Sequence, residues 1–215
     1  MLIKNIMTKN PICVTEKTSI IEAKEIMTKN NFSKLPVVDG SKKLVGIITK
    51  NDITKASPSD ATTLDKYEIN TLLSKLTCGK CMTKKVRTVS EDSVIEEVAR
   101  IMIDENIGCV PVLSDDIIVG IVTESDIFKV FTDMLGARFP GVRATFNMAD
   151  KPGTLTQLLG QIADANGNVL AVATSDSDVA GCRKVTLKAD NITEAQIKTF
   201  LENCGATIID IRSSK

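Results

Sequence analysis

The sequence predicts a mixed α and β protein in two parts. A pair of related β-α-β-β-α units comes first, and a β-α-β-β-α-β unit of ferredoxin-like order follows. Two observations predict the first part. Met7-Thr8-Lys9 returns as Met82-Thr83-Lys84, Leu35-Pro36-Val37 as Val110-Pro111-Val112, and Gly46 to Ile53 as Gly120 to Ile127. No third copy follows, so the reading is two half-units across a pseudo-twofold axis rather than a solenoid. Such halves create two related clefts, and clefts of this kind are natural small-molecule sites. One observation predicts the second part: the pattern changes at Met134 to Ala137, and from Arg138 onward the periodicities belong to a different unit.

The elements follow in order. Ile12 to Val14 and Val86 to Val89 read as short extended segments. Helix starts are expected at Ser19 to Glu22 and at Ser93 to Glu96, both with capping-box spacing. Ile20, Ala23, Ile26 and Met27 recur at helical spacing, matched by Val94, Val98, Ile101 and Met102. Asn30-Asn31 and Asn106 stand where helix ends turn left-handed. Two short strands come next in each copy, Leu35 to Val38 and Leu44 to Ile48, then Val110 to Leu113 and Ile117 to Val122, with a turn at Asp39-Gly40. Second helices start at Thr49 and Thr123. Positions 7 and 36 recur 75 residues on and position 46 recurs 74 on, so one residue is lost in a loop between. The first copy spans 1–56, a polar, breaker-rich linker 57–76, and the second copy 77–133. Leu64 to Leu76 reads as a short amphipathic helix with Leu72, Leu73 and Leu76 on its apolar side.

The last part spans 138–215. Val142 to Met148 alternates as a strand, and Asp150 to Gly153 is a turn. Thr154 to Gln157 opens a helix with capping spacing, and Leu155, Leu158, Leu159 and Ile162 form its buried stripe. Asn166 to Asn168 ends it. Val169 to Ala173 and Lys184 to Leu187 are strands around a loose polar loop, Thr174 to Gly181. Thr193 to Phe200 is a helix capped by Thr193 and Gln196, and Thr207 to Ile211 is the last strand.

Composition narrows the function. Of 215 residues, 43% are hydrophobic, enough for two cores. Twenty-seven basic residues balance 27 acidic ones, so no global charge draws the chain to nucleic acid or to a membrane surface. Nothing resembles a spanning segment or a signal peptide, and a cytoplasmic protein is the expectation. There is no histidine, which removes the commonest acid–base group and metal ligand. No catalytic or metal site is therefore expected. The six cysteines read as free thiols, with Cys13, Cys109 and Cys182 in apolar or strand-like runs.

Three motifs carry chemistry. Thr49 with Asp52, and Thr123 with Asp126, have the spacing of helix caps. The same spacing also suits a helix start whose amides and hydroxyl face a phosphate, with a carboxylate to accept from ribose hydroxyls. Asp150-Lys151-Pro152-Gly153 is a plain turn, or one at which a ligand approaches the chain closely. Cys78-Gly79-Lys80-Cys81 invites a thiol-disulfide or metal-handling alternative, although it lacks a second pair and any His for zinc.

The paired Gly-Ile-Ile-Thr-Lys-Asn-Asp and Gly-Ile-Val-Thr-Glu-Ser-Asp, each about ten residues after a Pro-Val pair, resemble the tandem cystathionine-β-synthase (CBS) module over residues 1–133. The stretch Asp150 to Leu155 followed by Asn166 to Val169 resembles an ACT domain, and proteins of the acetoin-utilisation type carry the same arrangement. The resemblance implies a regulatory sensor rather than an enzyme. Thr49 and Asp52 would hold an adenosine nucleotide or adenosyl ligand (AMP, ATP or S-adenosylmethionine-like) in one cleft, and Thr123 and Asp126 in the other. Ser33, Lys34, Leu35 and Pro36, with their counterparts Gly108, Cys109, Val110 and Pro111, would line the adenine face. It further implies that the ACT domain holds a small amino acid at Asp150, Gly153, Thr154, Leu155 and Asn168 or mediates dimerisation, that the chain forms a homodimer, and that an effector protein receives the signal. Lys50 follows the first Thr and Glu124 the second, so the Lys50 side is expected to bind a nucleotide more tightly.

Overall fold

The structure, a computed structural model, describes residues 1–57 and 73–214. It divides into two compact units, Met1–Ile127 and Phe128–Lys215. The linker and most of the helix expected from Leu64 lie outside the described residues. Leu73 and Leu76 lie within them and pack against the first core.

In the first unit, a 3-10 turn at Ile3–Asn5 leads to β1 (Thr8–Lys9). The first copy then runs β2 (Val14–Thr15), α1 (Ile20–Lys29), β3 (Lys34–Val38), β4 (Leu44–Thr49) and α2 (Lys50–Ala56). A one-turn helix, α3 (Cys78–Cys81), opens the second copy: β5 (Val89–Ser90), α4 (Ile95–Asp104), β6 (Cys109–Ser114), β7 (Ile117–Thr123) and α5 (Glu124–Met134). Strand alternation sorts the faces. Leu35, Val37 and Ile48 are buried against Ile20, Ala23 and Met27 of α1, while Lys34 and Pro36 point to the other side of β3.

The two copies are joined by exchange. The sheet orders are β2-β3-β4 and β1-β7-β6-β5, so β1 of the first copy extends the sheet of the second. Thr8 pairs with Ile121 and Lys9 with Gly120. The twofold relation repeats this at Thr83, whose amide and carbonyl bond Ile47 at 2.9 and 3.0 Å. The methionine before each Thr lies flat on the glycine of the other copy. A Cβ on Gly46 would stand 2.3 Å from Sδ of Met82, and one on Gly120 would stand 2.3 Å from Sδ of Met7. The recurrent Met-Thr and the recurrent Gly are therefore two halves of one contact.

One helix start differs from expectation. α1 is capped by Ser19, whose hydroxyl accepts from the Glu22 amide at 3.1 Å. α4 begins one residue later than its Ser93 suggested, with Val94 at the cap and no side-chain bond. The lost residue falls after β6, so the 75-residue offset still holds here and Val94, not Ser93, corresponds to Ser19. Ile95 accordingly takes the place of Ile20 in the core. Asn31 and Asn106 take positive φ, at 54° and 51°, at the two helix ends.

The second unit holds β8 (Gly141–Ala149), α6 (Thr154–Asp164), β9 (Asn168–Asp176), β10 (Cys182–Asp190), α7 (Glu194–Asn203) and β11 (Thr207–Ser214). The antiparallel sheet has the order β11-β8-β10-β9. Val142, Ala144, Phe146 and Met148 alternate into a core with Leu158 and Ile162 of α6 and Ile197 and Leu201 of α7. Two local readings change. The loop expected at 174–181 is shorter, because β9 runs to Asp176, where its carboxylate pairs with Arg183 across the hairpin at 2.7 Å. Thr154 is not the cap of α6: Gly153 is, at φ +89°, and the Thr154 hydroxyl instead donates to the Ala149 carbonyl at 3.0 Å. On the sheet face opposite the helices, Lys188 is only 4% exposed, and its ammonium donates to the Gly136 carbonyl at 2.9 Å.

Substituting either interlock glycine overpacks a tight contact, at about 1–3 kcal/mol. Gly46→Ala is expected to cost more than Gly120→Ala in urea unfolding, because the new methyl also meets the Thr83 carbonyl at 3.0 Å. Adding Met7→Ala to Gly120→Ala should recover part of the loss, whereas adding it to Gly46→Ala should not.

Candidate functional site

A cavity of about 390 Å³ opens in the first unit where the two copies meet. Its floor comes from the exchange: Thr8, Asn10, Pro11 and Ile12 of the first copy lie beside Ile121 of β7. Asn31, Phe32, Ser33, Lys34 and Pro36 form one wall, and Gly108 with Thr123 to Asp126 forms the other. The lining thus combines an apolar surface (Ile12, Phe32, Pro36, Ile121) with hydroxyls, amides and three charges.

The Thr and Asp at the start of α5 are locked to each other. Asp126 Oδ2 accepts from the Thr123 amide at 2.8 Å and from its hydroxyl at 2.8 Å. The first copy repeats the arrangement, with Asp52 Oδ2 accepting from the Thr49 amide at 2.9 Å and its hydroxyl at 2.7 Å. The Asp52 amide donates back to the Thr49 hydroxyl at 3.1 Å, completing a capping box. These bonds all fall on Oδ2, so Oδ1 of each carboxylate takes part in none of them. A carboxylate held by one oxygen can present the other to a ligand hydroxyl. Capping and binding are compatible roles for the same side chain.

The cavity brings together Ser33, Lys34, Pro36, Gly108, Thr123 and Asp126. Leu35 and Val110 point the other way, at 1% and 0% exposure, and belong to the cores. Alternation along β3 and β6 gives the reason: only every second residue can face the cleft. Thr49, Asp52, Cys109 and Pro111 fall outside this cavity's lining, on the sides that the twofold relation assigns to the related cleft. Sequence reasoning missed Thr8, Asn10, Phe32 and Ile121. The repeated Met-Thr-Lys was the available signal, used there only as a marker of duplication.

Lys34 and Glu124 converge over Gly108. A Cβ at position 108 would lie 2.7 Å from Nζ of Lys34 and 3.0 Å from Oε2 of Glu124. Burial raises the pKa of the Cys109 thiol, and the positive charge of Lys34 partly offsets this.

Both parts of the chain match known sequence families. Residues 3–59 and 78–133 each match the CBS domain. The chain belongs to the CBS-domain family. Residues 140–212 match the TTHA0829-like ACT domain, so a CBS pair precedes an ACT domain, in the ferredoxin-type fold described above. An L-aspartate semialdehyde sulfurtransferase of Methanocaldococcus jannaschii is 40% identical over 131 residues, which are 60% of this chain and 23% of that protein. A homoserine O-acetyltransferase of Methanococcus vannielii is 32% identical over 61% of this chain and 25% of its own length. The chain thus spans about a quarter of these relatives. Among solved structures, an acetoin utilization protein (AcuB) of Vibrio cholerae superposes with a TM-score of 0.54 at 27% identity, over 64% of this chain and 95% of that one. The CBS domain pair of protein MJ0100, in complex with 5′-methylthioadenosine and S-adenosyl-L-methionine, does so with 0.51 at 40% identity, over 61% and 99%. CBSX2 in complex with AMP follows with 0.50 at 26% identity, over 60% and 95%.

In the ACT domain, Asp150, Gly153, Thr154 and Leu155 share the turn from β8 into α6, where Gly153 holds a conformation costly for any other residue. Leu155 packs toward the core, and Asn168 opens β9, exposed and paired across to Asp190. Among the described residues no helix is long and apolar enough to cross a membrane, and no group of three His, Cys, Asp or Glu could hold a metal ion.

The Cys78–Cys81 turn has a structural task. The Cys78 amide donates to the Thr18 carbonyl and the Gly79 amide to the Glu16 carbonyl, tying the second copy's entry to the first copy. Burial above all pushes the Cys78 thiol up to about 11, and Cys81 is also raised, first by burial and then by Asp52. A reactive thiol needs the opposite shift, so these cysteines give the redox alternative no support. A raised thiol pKa makes the neutral form's contribution whole below the ordinary value of 9.0 and progressively lost toward 11. Between those limits the parent protein should lose roughly 2–3 kcal/mol more stability than Cys78→Ala, measured by denaturant unfolding.

Proposed function

We propose that this chain is a non-catalytic regulatory sensor whose CBS pair binds an adenosine-containing ligand. The observation that carries the reading is the cavity in which Thr123 and Asp126 of one copy face Ser33, Lys34 and Pro36 of the other. The base would lie on the apolar surface of Phe32, Ile12 and Ile121, and the free Oδ1 of Asp126 would accept from ribose hydroxyls. Two relatives of the CBS pair that hold adenosyl ligands or AMP support the class of ligand. The twofold relation extends the reading to Thr49 and Asp52 in the related cleft. Because the lining is drawn from both copies, a ligand binds one arrangement of the halves better than another and shifts the equilibrium by that difference.

The ACT domain would take a small amino acid at Asp150, Gly153, Thr154, Leu155 and Asn168, or serve in dimerisation. A homodimer in the cytoplasm, passing its state to an effector protein, completes the reading. Phe128, Phe131 and Met134 support self-association: they follow one another at helical spacing and are 66%, 57% and 65% exposed.

A ligand present at a hundred times its dissociation constant adds about 2.7 kcal/mol of apparent stability. Thermal unfolding with AMP, ATP and 5′-methylthioadenosine should therefore show an upward shift for at least one of them. Asp52→Ala combined with Asp126→Ala should abolish it. No shift with any adenosine compound would overturn the reading. For the assembly, Phe131→Asp is expected to convert a dimer to a monomer in sedimentation equilibrium.

A further inference from the structure

The cavity's charges are arranged unfavourably for a polyphosphate. It is lined by one ammonium, Lys34, and two carboxylates, Glu124 and Asp126. Lys34 and Glu124 both border the space over Gly108, and the two carboxylates outnumber the single ammonium. Asp126 is fixed by two bonds from Thr123, so it cannot swing away from a ligand. An anionic group entering beside Glu124 would meet a lining in which two carboxylates face one ammonium, a net repulsion. A neutral or cationic group would not.

The related cleft has the opposite balance. The same twofold step that turns Thr123 into Thr49 turns Glu124 into Lys50 and Asn10 into Lys85. It also turns Ile12 into Arg87, whose charge is matched by Glu105 at 3.2 Å. Lys34 becomes Cys109 by the same step, so the corresponding positions there carry Lys50 and Lys85 with Asp52, against Lys34 with Glu124 and Asp126 here. Ile12 makes this cleft more apolar as well, with Arg87 in its place in the other.

We infer that the cleft at Thr123–Asp126 selects an adenosyl ligand whose 5′ substituent is uncharged or cationic, a nucleoside thioether or sulfonium, over a nucleotide bearing phosphates. Glu124 is the specificity-determining residue. The inference rests on the reading of this cavity as an adenosyl site, and it separates two clefts that the repeat alone would make alike.

The test uses the full chain carrying Asp52→Ala, which silences the related cleft, and isothermal titration with 5′-methylthioadenosine, S-adenosylmethionine, AMP and ATP. 5′-Methylthioadenosine or S-adenosylmethionine should bind at least about tenfold more tightly than AMP, and ATP more weakly still. Glu124→Lys, at an exposed position that leaves the core untouched, should improve AMP binding by about tenfold and change 5′-methylthioadenosine by less than about threefold. Glu124→Gln should give an intermediate gain. AMP binding as tight as 5′-methylthioadenosine, or indifferent to Glu124→Lys, would overturn the selectivity while leaving the adenosyl reading intact. Binding of none of the four, with the related cleft intact or silenced, would overturn both.

Discussion

The exchange of one short segment between the two copies is the contact on which the first unit depends. Thr8 and Lys9, preceded by Met7, leave their own copy and pair with β7 of the other, and Thr83, preceded by Met82, pairs with Ile47 in return. Each thioether fills the space that a side chain at Gly120 or Gly46 would need. A flexible, polarizable side chain suits a gap of this shape. Further bonds bind the same seam: Ile3 and Lys4 donate to the Ser93 and Glu91 carbonyls, and Cys78 and Gly79 donate to the matching carbonyls of the first copy. The cysteine motif is part of this seam, which explains its burial better than any redox role does.

The cavity is a consequence of that seam. Its floor is the exchanged segment, and its walls are the cleft-facing residues of β3 and the start of α5. A ligand there would touch both copies at once. Stability and ligand response are therefore tied to the same few backbone bonds, and a change at the interlock is felt in the pocket.

Much of this was legible in the sequence because the physics was local. Helix caps at Ser19, Thr49 and Thr193, left-handed asparagines at 31 and 106, and the alternation of Val142 to Met148 each depend on a few neighbouring residues. Local rules failed where a partner distant in sequence decided the outcome. The β9–β10 hairpin outlasts its polar composition because cross-strand bonds and the Asp176–Arg183 pair hold it. Lys188 is buried because the chain near Gly136 covers it. Ser93 misled because a register can be read one residue off until the deletion is located. The Thr–Asp pairs were legible as caps and, through family resemblance, as ligand groups, and their geometry accommodates both roles.

By itself, the sequence determined the duplication, the order of elements, the CBS and ACT families and the residue types at the cleft. Tertiary structure alone decided which residues meet. Charge on Glu124 could be read from the chain, and it suggested a cleft hostile to nucleotides beside a favourable one at Lys50. Only the fold shows that Lys34, ninety residues earlier, stands next to Glu124 over a glycine, while Leu35 and Val110 turn inward. The reason is that side-chain direction follows from strand pairing across the pseudo-twofold axis, and that pairing is a property of two copies together, which neither copy's sequence contains.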